Sequence, residues 1–280
     1  MSLPKKVWFI TGCSTGFGRA LATAVIGHGD HLVATARHPE SLSDLVALAP
    51  RRVLALALDV TEPDSVRVAV AAAITRFNAI DVLVNNAGYG LQGAVEEIND
   101  QEARQQFDTN VFGVWNVLRA ALPHLRQAGR GHILNFSSIA GMRASPGLGG
   151  YSASKFAVEG LSEALAQEVA PLGIRVTIIE PGGFRTDWAG RSMVWAAQEL
   201  SDYAGTSGRL RQGLQGFNGK QAGDPARAAQ VLLALVNMDE PPLRLPLGPD
   251  ALQGIRGKLK QVELEIAYNQ DLTLSTSFRE

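Results

Sequence analysis

The residues of this sequence best suited to acid–base chemistry are Tyr151 and Lys155, which lie four positions apart. In a helix that spacing places both side chains on one face. A free tyrosine has a pKa of about 10, so it is a poor base near neutral pH. An ammonium group about 4 Å away, at an effective dielectric constant of roughly 20, stabilises the phenolate by about 4 kcal/mol. The pair is therefore suited to moving a proton at a carbonyl or an alcohol, although the spacing alone is more often that of an ordinary surface pair.

A glycine-rich segment follows the first apolar run, with glycines at positions 12, 16 and 18. Glycine permits a tight turn and a close approach to a phosphate, and the N–H groups that begin a following helix favour an anion. The spacing G-x-x-x-G-x-G differs from the general fingerprint G-x-G-x-x-G. In the first strand-to-helix turn of a parallel sheet it predicts a pyrophosphate site, with a turn that binds nothing as the alternative. Cys13, within this turn, is interpreted as a packing residue.

The second apolar run ends at Ala36, and Arg37 follows it. Chains that prefer NAD usually place Asp or Glu about 20 residues beyond the glycines, where it binds the ribose hydroxyls. An arginine at this place can instead bind the 2′-phosphate of NADP through charge-assisted hydrogen bonds. We therefore expect NADP(H) to be preferred over NAD(H). The alternative is that Arg37 is a solvated surface charge.

The elements that must position these residues are short apolar runs, which alternate with longer segments of helical periodicity. This alternation is typical of right-handed βαβ units, so we predict an α/β fold with a doubly wound parallel sheet (Rossmann fold). We expect residues 1–280 to form a single domain. The predicted strands are Val7–Ile10, His31–Ala36, Val53–Leu58, Asp81–Val84, His132–Phe136, Ile174–Ile179 and Leu243–Leu247. The predicted helices include Arg19–Ile26, Ser65–Phe77, Arg104–Leu125, Ser152–Ala170 and Ala251–Tyr268.

Three of the later strands end in polar or glycine clusters, at residues 85–88, 137–138 and 180–183. Because ligands of open parallel sheets bind beyond the carboxyl ends of the strands, these clusters predict the floor of a crevice. Residues 187–223 are rich in glycine and carry scattered large apolar side chains. We expect this segment to be a mobile cover over an apolar ligand, with an ordinary surface connection as the alternative.

Composition excludes several classes of protein. The 280 residues carry 26 basic and 27 acidic side chains, a net charge of −1, which argues against charge-driven binding to nucleic acid or a membrane surface. The single cysteine excludes an intrachain disulfide, and no His or Cys pair has metal-ligand spacing, so we expect no metal site. No apolar run is long enough for a signal peptide or a membrane span, so we predict a cytoplasmic protein.

Together these motifs resemble those of the short-chain dehydrogenases/reductases, in their compact single-domain branch. The likeness extends from about residue 5 to 187, in the family's order, through Thr11–Gly18, Asp59, Asn85–Gly88, Asn110, Ser138, Tyr151–Lys155, Pro181, Gly182 and Thr186. Residues 9–18 and 34–37 resemble the 17β-hydroxysteroid and retinol dehydrogenases in particular. The glycine spacing is unlike that of the longer epimerase branch, and the Tyr–Lys spacing is unlike that of the enoyl reductases.

The resemblance implies a role for each matching residue. Tyr151 would be the general acid or base, Lys155 would lower its pKa, and Ser138 would hold the substrate oxygen. Asn110 would position a water that links Lys155 to solvent. The expected cofactor-binding residues are Gly12, Ser14, Thr15, Gly16, Phe17, Gly18, Arg37, Asp59, Val60, Asn86, Ala87, Gly88, Tyr151, Lys155, Pro181, Gly182, Phe184 and Thr186.

The candidate substrate pocket is mostly apolar or aromatic, and no cluster of Arg or Lys suggests a phosphorylated substrate. Its candidate residues are Tyr89, Met142, Ser145, Leu148, Phe184, Trp188 and Trp195. We therefore expect NADP(H)-dependent interconversion of an apolar ketone or aldehyde and its alcohol. One alternative is an NADP(H)-binding sensor with little turnover, which the complete catalytic set argues against. Another is a scaffold, since the family usually forms homodimers or homotetramers through its two long helices, here Arg104–Leu125 and Ser152–Ala170.

Overall fold

Seven parallel strands form the central sheet of the computed structural model, which describes residues 5–188 and 190–278. The strands of the chain are β1 (Val7–Ile10), β2 (His31–Ala36), β3 (Val53–Ala57), β4 (Val82–Asn85), β5 (Gly90–Gln92), β6 (Gly131–Phe136), β7 (Ile174–Pro181), β8 (Met193–Trp195) and β9 (Arg244–Leu247). The order across the sheet is β3-β2-β1-β4-β6-β7-β9. The predicted doubly wound parallel sheet is confirmed. Its strand order reverses between β1 and β4, the switch point beside which ligands of such sheets bind.

Helices cover both faces of this sheet. They are α1 (Gly16–His28), α2 (Ser43–Leu48), α3 (Pro63–Phe77), α4 (Asp100–Phe107), α5 (Gly113–Ala128), α6 (Gly149–Val169), α7 (Arg209–Phe217), α8 (Pro225–Leu235), α9 (Pro249–Tyr268) and α10 (Gln270–Leu274). Side chains of β1 show why the apolar runs lack alternation. Trp8 and Ile10 pack with residues of α1 and α8, whereas Val7 and Phe9 pack with residues of α3, α5 and α6. A strand buried on both faces needs apolar side chains at every position.

The predicted helix Arg104–Leu125 is interrupted in the structure. Helix α4 passes into a π-helical turn, Asp108–Phe112, before α5 begins at Gly113. A π-helical turn inserts a residue into the helical repeat and is common at functional sites. The apolar periodicity on either side of it gave no sign of the interruption.

Residues 187–223 contain more regular structure than their composition suggests. Strand β8 pairs in parallel with β5, forming a two-stranded sheet, and α7 follows. Gly90 in β5 packs so closely that a Cβ there would lie 2.8 Å from Trp188. Three-residue strands carry too few positions for a periodic pattern, which is why the sequence did not reveal β5 and β8. Across residues 5–188 and 190–278, no helix combines the length and the apolar character that crossing a membrane requires.

Candidate active site

A cavity of about 920 Å³ opens at the carboxyl ends of the central strands. It brings together most of the residues that the sequence pointed to. Those that line it are Gly12, Ser14, Thr15, Gly16, Phe17, Arg37, Asp59, Val60, Asn86, Ala87, Gly88, Ser138, Tyr151, Lys155, Pro181, Gly182, Phe184 and Thr186. Gly18 and Asn110 are not among the lining residues, and both are buried behind the wall. Each acts on the cavity through a neighbour, as the following contacts show.

The glycine-rich turn is held open by close backbone packing. Gly12 and Gly16 have positive φ angles of 72° and 59°, which residues other than glycine rarely adopt. A Cβ on Gly18 would lie 2.3 Å from the carbonyl oxygen of Gly12. The Asn86 side-chain amide donates to the carbonyl oxygens of Thr11 and Gly12 at 2.8 and 3.1 Å, so β4 fixes the turn that follows β1.

The start of α1 suits an anion. Its N-cap residue, Thr15, makes no side-chain capping bond, and its first turn carries no acidic residue. Unpaired N–H groups and the positive end of the helix dipole therefore face the cavity. This cradle, with the glycines beside it, fits the pyrophosphate of a dinucleotide.

The far end of the cavity lies beside Arg37 and Asp59. Asp59 is held in place because the backbone N–H and hydroxyl of Thr61 both donate to its Oδ1, at 2.9 and 2.7 Å. Arg37 is exposed at the end of β2 and makes no ion pair within the described chain. A guanidinium without a protein carboxylate is available to a ligand anion.

The loop after β7 is braced by a residue that sequence reasoning missed. Asp250, in the first turn of α9, accepts a hydrogen bond from the backbone N–H of Gly183 at 2.6 Å. A Cβ on Gly182 would lie 2.3 Å from the Asp250 carboxylate oxygens, so glycine is required there. Nothing local in the sequence links a loop near residue 182 to a carboxylate 67 residues later. The next part of the loop packs through Phe184, whose ring centroid lies 4.8 Å from that of Phe17.

Tyr151 lies in the first turn of α6 and is almost completely buried. Burial raises the pKa of its phenol to about 12, while hydrogen bonds with the side chains of Ser138 and Trp188 lower it. The Trp188 ring lies against the phenol ring, with centroids 5.3 Å apart. Ser138 is itself oriented, because its Oγ accepts a hydrogen bond from the backbone N–H of Ala140 at 3.1 Å. The Tyr151 phenol and the Ser138 hydroxyl therefore lie next to each other in the cavity wall.

Lys155 is fixed by a contact with the backbone of the sheet. Its Nζ donates to the carbonyl oxygen of Phe136 at 2.7 Å and lies 5.8 Å from the centroid of the Tyr151 ring. Burial lowers the pKa of Lys155 to about 8, and the Glu159 carboxylate raises it. Burial therefore outweighs the hydrogen bonds that lower the pKa of Tyr151, and a lowering of that pKa by Lys155 stays a prediction.

Asn110 lies in the π-helical turn and faces inward. Its Nδ2 donates to the Tyr89 carbonyl at 3.0 Å and to Ser154 Oγ at 3.1 Å, and its Oδ1 accepts from the Tyr89 backbone N–H at 3.1 Å. A Cβ on Gly88 would lie 3.0 Å from Asn110 Oδ1 and 3.7 Å from Lys155 Nζ. Asn110 thus lies close behind Lys155, with Gly88 between them.

The remaining cavity wall is less uniformly apolar than expected. Of the candidate pocket residues, Tyr89, Ser145, Leu148, Phe184 and Trp188 line it. Met142 and Trp195 do not: the Met142 sulfur accepts from Arg244, and the Trp195 ring lies 5.7 Å from the Arg211 guanidinium. Two exposed arginines, Arg143 and Arg191, also line the cavity, although no basic cluster was evident in the sequence.

Residues of the 187–223 segment lie over this wall. Val194, Leu214 and Phe217 line the cavity from β8 and α7. The segment is anchored below them, where Gln92 Nε2 donates to the backbone and side-chain oxygens of Ser207, both at 3.0 Å. Helix α7, which carries Leu214 and Phe217, has no buried residue of its own. Residues of this segment thus line the cavity, whereas its role as a mobile cover over a ligand stays a prediction.

A buried ionic cluster lies one helical turn behind Lys155. Arg244, from β9, pairs with Glu159, Glu163 and Glu180. Glu159 is 4% exposed and Glu180 is 1% exposed. Burial raises the pKa of Glu159 to about 7, and the nearby Glu180 carboxylate raises it further while Arg244 lowers it. Sequence reasoning missed this cluster because its members come from α6, β7 and β9.

Comparison with known proteins decides the family. A family model described as short chain dehydrogenase matches residues 6–196. The chain belongs to this family. Oxidoreductase BOA17 of Botryotinia fuckeliana is 44% identical over 259 residues, which are 92% of this chain and 93% of that protein. The 3-ketodihydrosphingosine reductase of Bacteroides thetaiotaomicron is 38% identical over 245 residues, 87% and 88% of the two chains.

Solved structures agree with this assignment. A short-chain dehydrogenase from Streptomyces avermitilis has a TM-score of 0.92 at 43% identity and covers 98% of this chain and 100% of its own. A short-chain dehydrogenase/reductase from Burkholderia phymatum, in complex with NAD, has a TM-score of 0.83 at 26% identity over 95% and 96% of the two chains. An alcohol dehydrogenase from Thermococcus sibiricus, complexed with 5-hydroxy-NADP, has a TM-score of 0.72 at 28% identity over 87% and 96%. This short-chain dehydrogenase is thus an NAD(P)-dependent oxidoreductase acting on a small molecule.

Replacement of Gly18 tests the packing of the glycine-rich turn. In Gly18→Ala the new Cβ must displace the Gly12 carbonyl, so we expect a loss of about 1–3 kcal/mol in unfolding free energy and dinucleotide binding at least about tenfold weaker. Fluorescence titration and urea unfolding measure the two effects. Gly27→Ala is the control, because Gly27 lies in the same helix with no atom within 4 Å of its Cβ position. Equal binding by both variants would contradict the packing argument.

The Glu159 carboxyl predicts a pH-dependent stability. Its pKa is raised from 4.5 to about 7 on folding, so the folded state keeps a proton that the unfolded chain releases. The stabilisation by protonated Glu159 is complete below pH 4.5 and is lost as the pH rises through about 7. We expect the unfolding free energy of Glu159→Gln, relative to wild type, to rise by about 3 kcal/mol across that range.

Urea unfolding at several pH values measures this difference. Glu163→Gln is the control, because it removes a half-exposed carboxylate from the same guanidinium and leaves the buried carboxyl in place. A wild-type-minus-variant difference that stays constant with pH would show that Glu159 ionises as readily in the folded protein as in the unfolded chain.

Proposed function

We propose that this short-chain dehydrogenase interconverts an apolar ketone or aldehyde and its alcohol by hydride transfer, with NADP(H) as its preferred cofactor and Tyr151 as the general acid or base. The observation that carries the proposal is the hydrogen bond between the Tyr151 phenol and Ser138. Both residues line the cavity, together with the phosphate cradle and several aromatic side chains. A nicotinamide cofactor would be held by the glycine-rich turn and the start of α1, and it would supply the hydride and, in its oxidised form, a positive charge.

In the reducing direction, Tyr151 gives its hydroxyl proton to the carbonyl oxygen while the carbonyl carbon gains a hydride. Ser138 donates a hydrogen bond to the same oxygen, where negative charge develops. Because burial raises the pKa of Tyr151 above its ordinary value, the phenol holds its proton near neutral pH. That state is the one a general acid needs.

The phenolate that remains must regain a proton before the next turnover. Lys155 is the buried cation beside it, and its pKa of about 8 makes the ammonium a ready donor near neutral pH. Asn110 lies behind Lys155 across Gly88 and belongs to the same wall. Lys155 therefore passes a proton towards Tyr151, and Asn110 fixes the route by which Lys155 is resupplied from solvent.

The substrate class follows from the side chains beside Tyr151. Trp188, Leu148 and Phe184 present apolar surface to the cavity, and Val194, Leu214 and Phe217 extend it. The relative from Bacteroides thetaiotaomicron is named for the reduction of a ketone, 3-ketodihydrosphingosine, which supports a carbonyl substrate. The finer resemblance to 17β-hydroxysteroid and retinol dehydrogenases stays part of the proposal.

The preference for NADP(H) is proposed from Arg37. Its guanidinium is exposed at the cavity rim with no carboxylate partner in the described chain, and the residue before it, Ala36, offers no acid for the ribose hydroxyls. Solved relatives bind NAD in one case and an NADP derivative in another, so the fold accepts both forms. A charge-assisted contact to the 2′-phosphate would separate them.

The general acid is tested by Tyr151→Phe, which keeps the ring and removes only the hydroxyl. We expect turnover of apolar aldehydes and ketones with NADPH to fall by about 10²–10⁴-fold, with NADPH binding unchanged. NADPH oxidation followed by absorbance measures turnover. Tyr203→Phe is the control, because it removes a hydroxyl that binds Glu96 on the protein surface. Wild-type protein that binds NADPH but turns over no carbonyl would favour the sensor alternative.

The cofactor preference is tested by Arg37→Ala. We expect the Kd for NADPH to rise by about 10–100-fold, the equivalent of one charge-assisted hydrogen-bonding group, and the Kd for NADH to stay nearly constant. Arg51→Ala is a matched control, since Arg51 is an exposed arginine before β3 that does not line the cavity. Equal losses for both cofactors would mean that Arg37 does not contact the 2′-phosphate.

A further inference from the structure

Helix α9 begins against the body of the protein and then leaves it. Ala251, Gly254 and Ile255 are buried, but from residue 256 onward only Lys258 and Val262 are even partly covered. A Cβ on Gly254 would lie 2.7 Å from Ile139, which shows how closely the first turns pack. The outer turns have no comparable contact.

Helix α9 carries an apolar stripe made of Leu252 in its first turn and of Leu259 and Ile266 in its uncovered part. These side chains are 45%, 54% and 61% exposed. They are seven residues apart, so they lie above one another on a single face of the helix. Isolated helical segments of this length are only marginally stable in water, and stability in proteins comes from covering such a face. The stripe is therefore a surface that a partner would stabilise.

Charged residues beside the stripe identify the kind of partner. Arg256 and Glu263 are also seven residues apart, and both are exposed on the side of the stripe that faces away from the body. If a second copy of α9 runs antiparallel across the first, with Leu259 opposite Leu259, then Leu252 meets Ile266. In the same arrangement each Arg256 faces Glu263 of the other copy. Parallel helices related by a two-fold axis along their length would instead place Arg256 and Glu263 beside the Ile255 and Val262 flank of the other copy, which offers no opposite charge.

We propose that the stripe Leu252, Leu259, Ile266 is an antiparallel interface between two copies of this chain, with the two-fold axis at Leu259. The pattern is self-complementary in the way that a two-fold interface requires, since one surface must match itself. Arg256 and Glu263 fix the direction and register of the pair, as flanking charges do in coiled coils. This surface is separate from α5 and α6, which correspond to the long helices through which the family usually associates.

Cysteine cross-linking tests the register directly. The sequence has one cysteine, Cys13, and it is completely buried, so an introduced surface thiol is the only accessible one. Under mild oxidation, Leu259→Cys should form a disulfide-linked dimer. Leu264→Cys should not, because that 60% exposed residue lies about 140° around the helix from Leu259. Absence of the cross-link at Leu259, or equal cross-linking at both positions, would overturn the proposal.

Direction is tested with two further variants. Leu252→Cys and Ile266→Cys should each fail to cross-link alone and should form a mixed dimer when combined, because antiparallel helices bring these two positions together. Parallel helices would give cross-links within each variant and would overturn the antiparallel arrangement.

Charge reversal and light scattering test the interface in solution. Arg256→Glu and Glu263→Arg should each halve the molar mass at a concentration where wild type is fully associated, and the double variant should restore the wild-type mass. An unchanged mass in both single variants would overturn the proposal. So would binding of wild type, but not of Leu259→Glu, to phosphatidylcholine–phosphatidylglycerol vesicles without any difference in mass, because the stripe would then cover itself with lipid.

Discussion

The hydrogen bond from Lys155 to the carbonyl oxygen of Phe136 ties α6 to the sheet. A buried ammonium group must find a partner, and a free strand-end carbonyl is the partner it finds here. That bond fixes α6 at the carboxyl end of β6. Tyr151, one turn earlier on α6, is thereby held against Ser138, which follows β6 directly. The position of the phenol thus depends on the packing of a charge as well as on the contacts of the phenol with Ser138 and Trp188.

The same constraint explains the buried cluster behind Lys155. Because Lys155 is a buried cation, a second charged group buried near it needs a partner as well. Glu159 lies one turn away from Lys155 on the same helix. Arg244 from β9 holds that carboxyl together with Glu180. Helix α6 and the strands β7 and β9 therefore meet behind Lys155. Because Arg244 is the shared partner of these carboxylates, its loss would leave Glu159 and Glu180 buried without an ion-pair partner.

Much of this arrangement was predictable from the sequence, because its signals are local. Buried parallel strands show as unbroken apolar runs, and Gly12, Gly16, Tyr151 and Lys155 stand at fixed short separations. What could not be predicted depends on contacts between distant segments. Asn110 faces inward through a π-helical turn that no periodicity reveals, and Met142 turns towards Arg244 rather than the cavity. The burial that raises the pKa of Tyr151 exists only in the folded chain, so a pairwise estimate with Lys155 does not include it.

The contact between Asp250 and the loop at Gly182 and Gly183 has a consequence for how the protein is made. A chain emerges from the ribosome with its N-terminus first, and domains fold as their segments emerge. The ribosome releases β1, β4, β6 and α6 early. The loop beside them, at Gly182 and Gly183, is braced only after Asp250 has emerged. Strand β9, which carries Arg244, also emerges late and adds the last strand at one edge of the sheet. A nascent chain therefore carries Ser138, Tyr151 and Lys155 well before it carries Asp250, and the loop beside them gains this support only after those side chains have emerged.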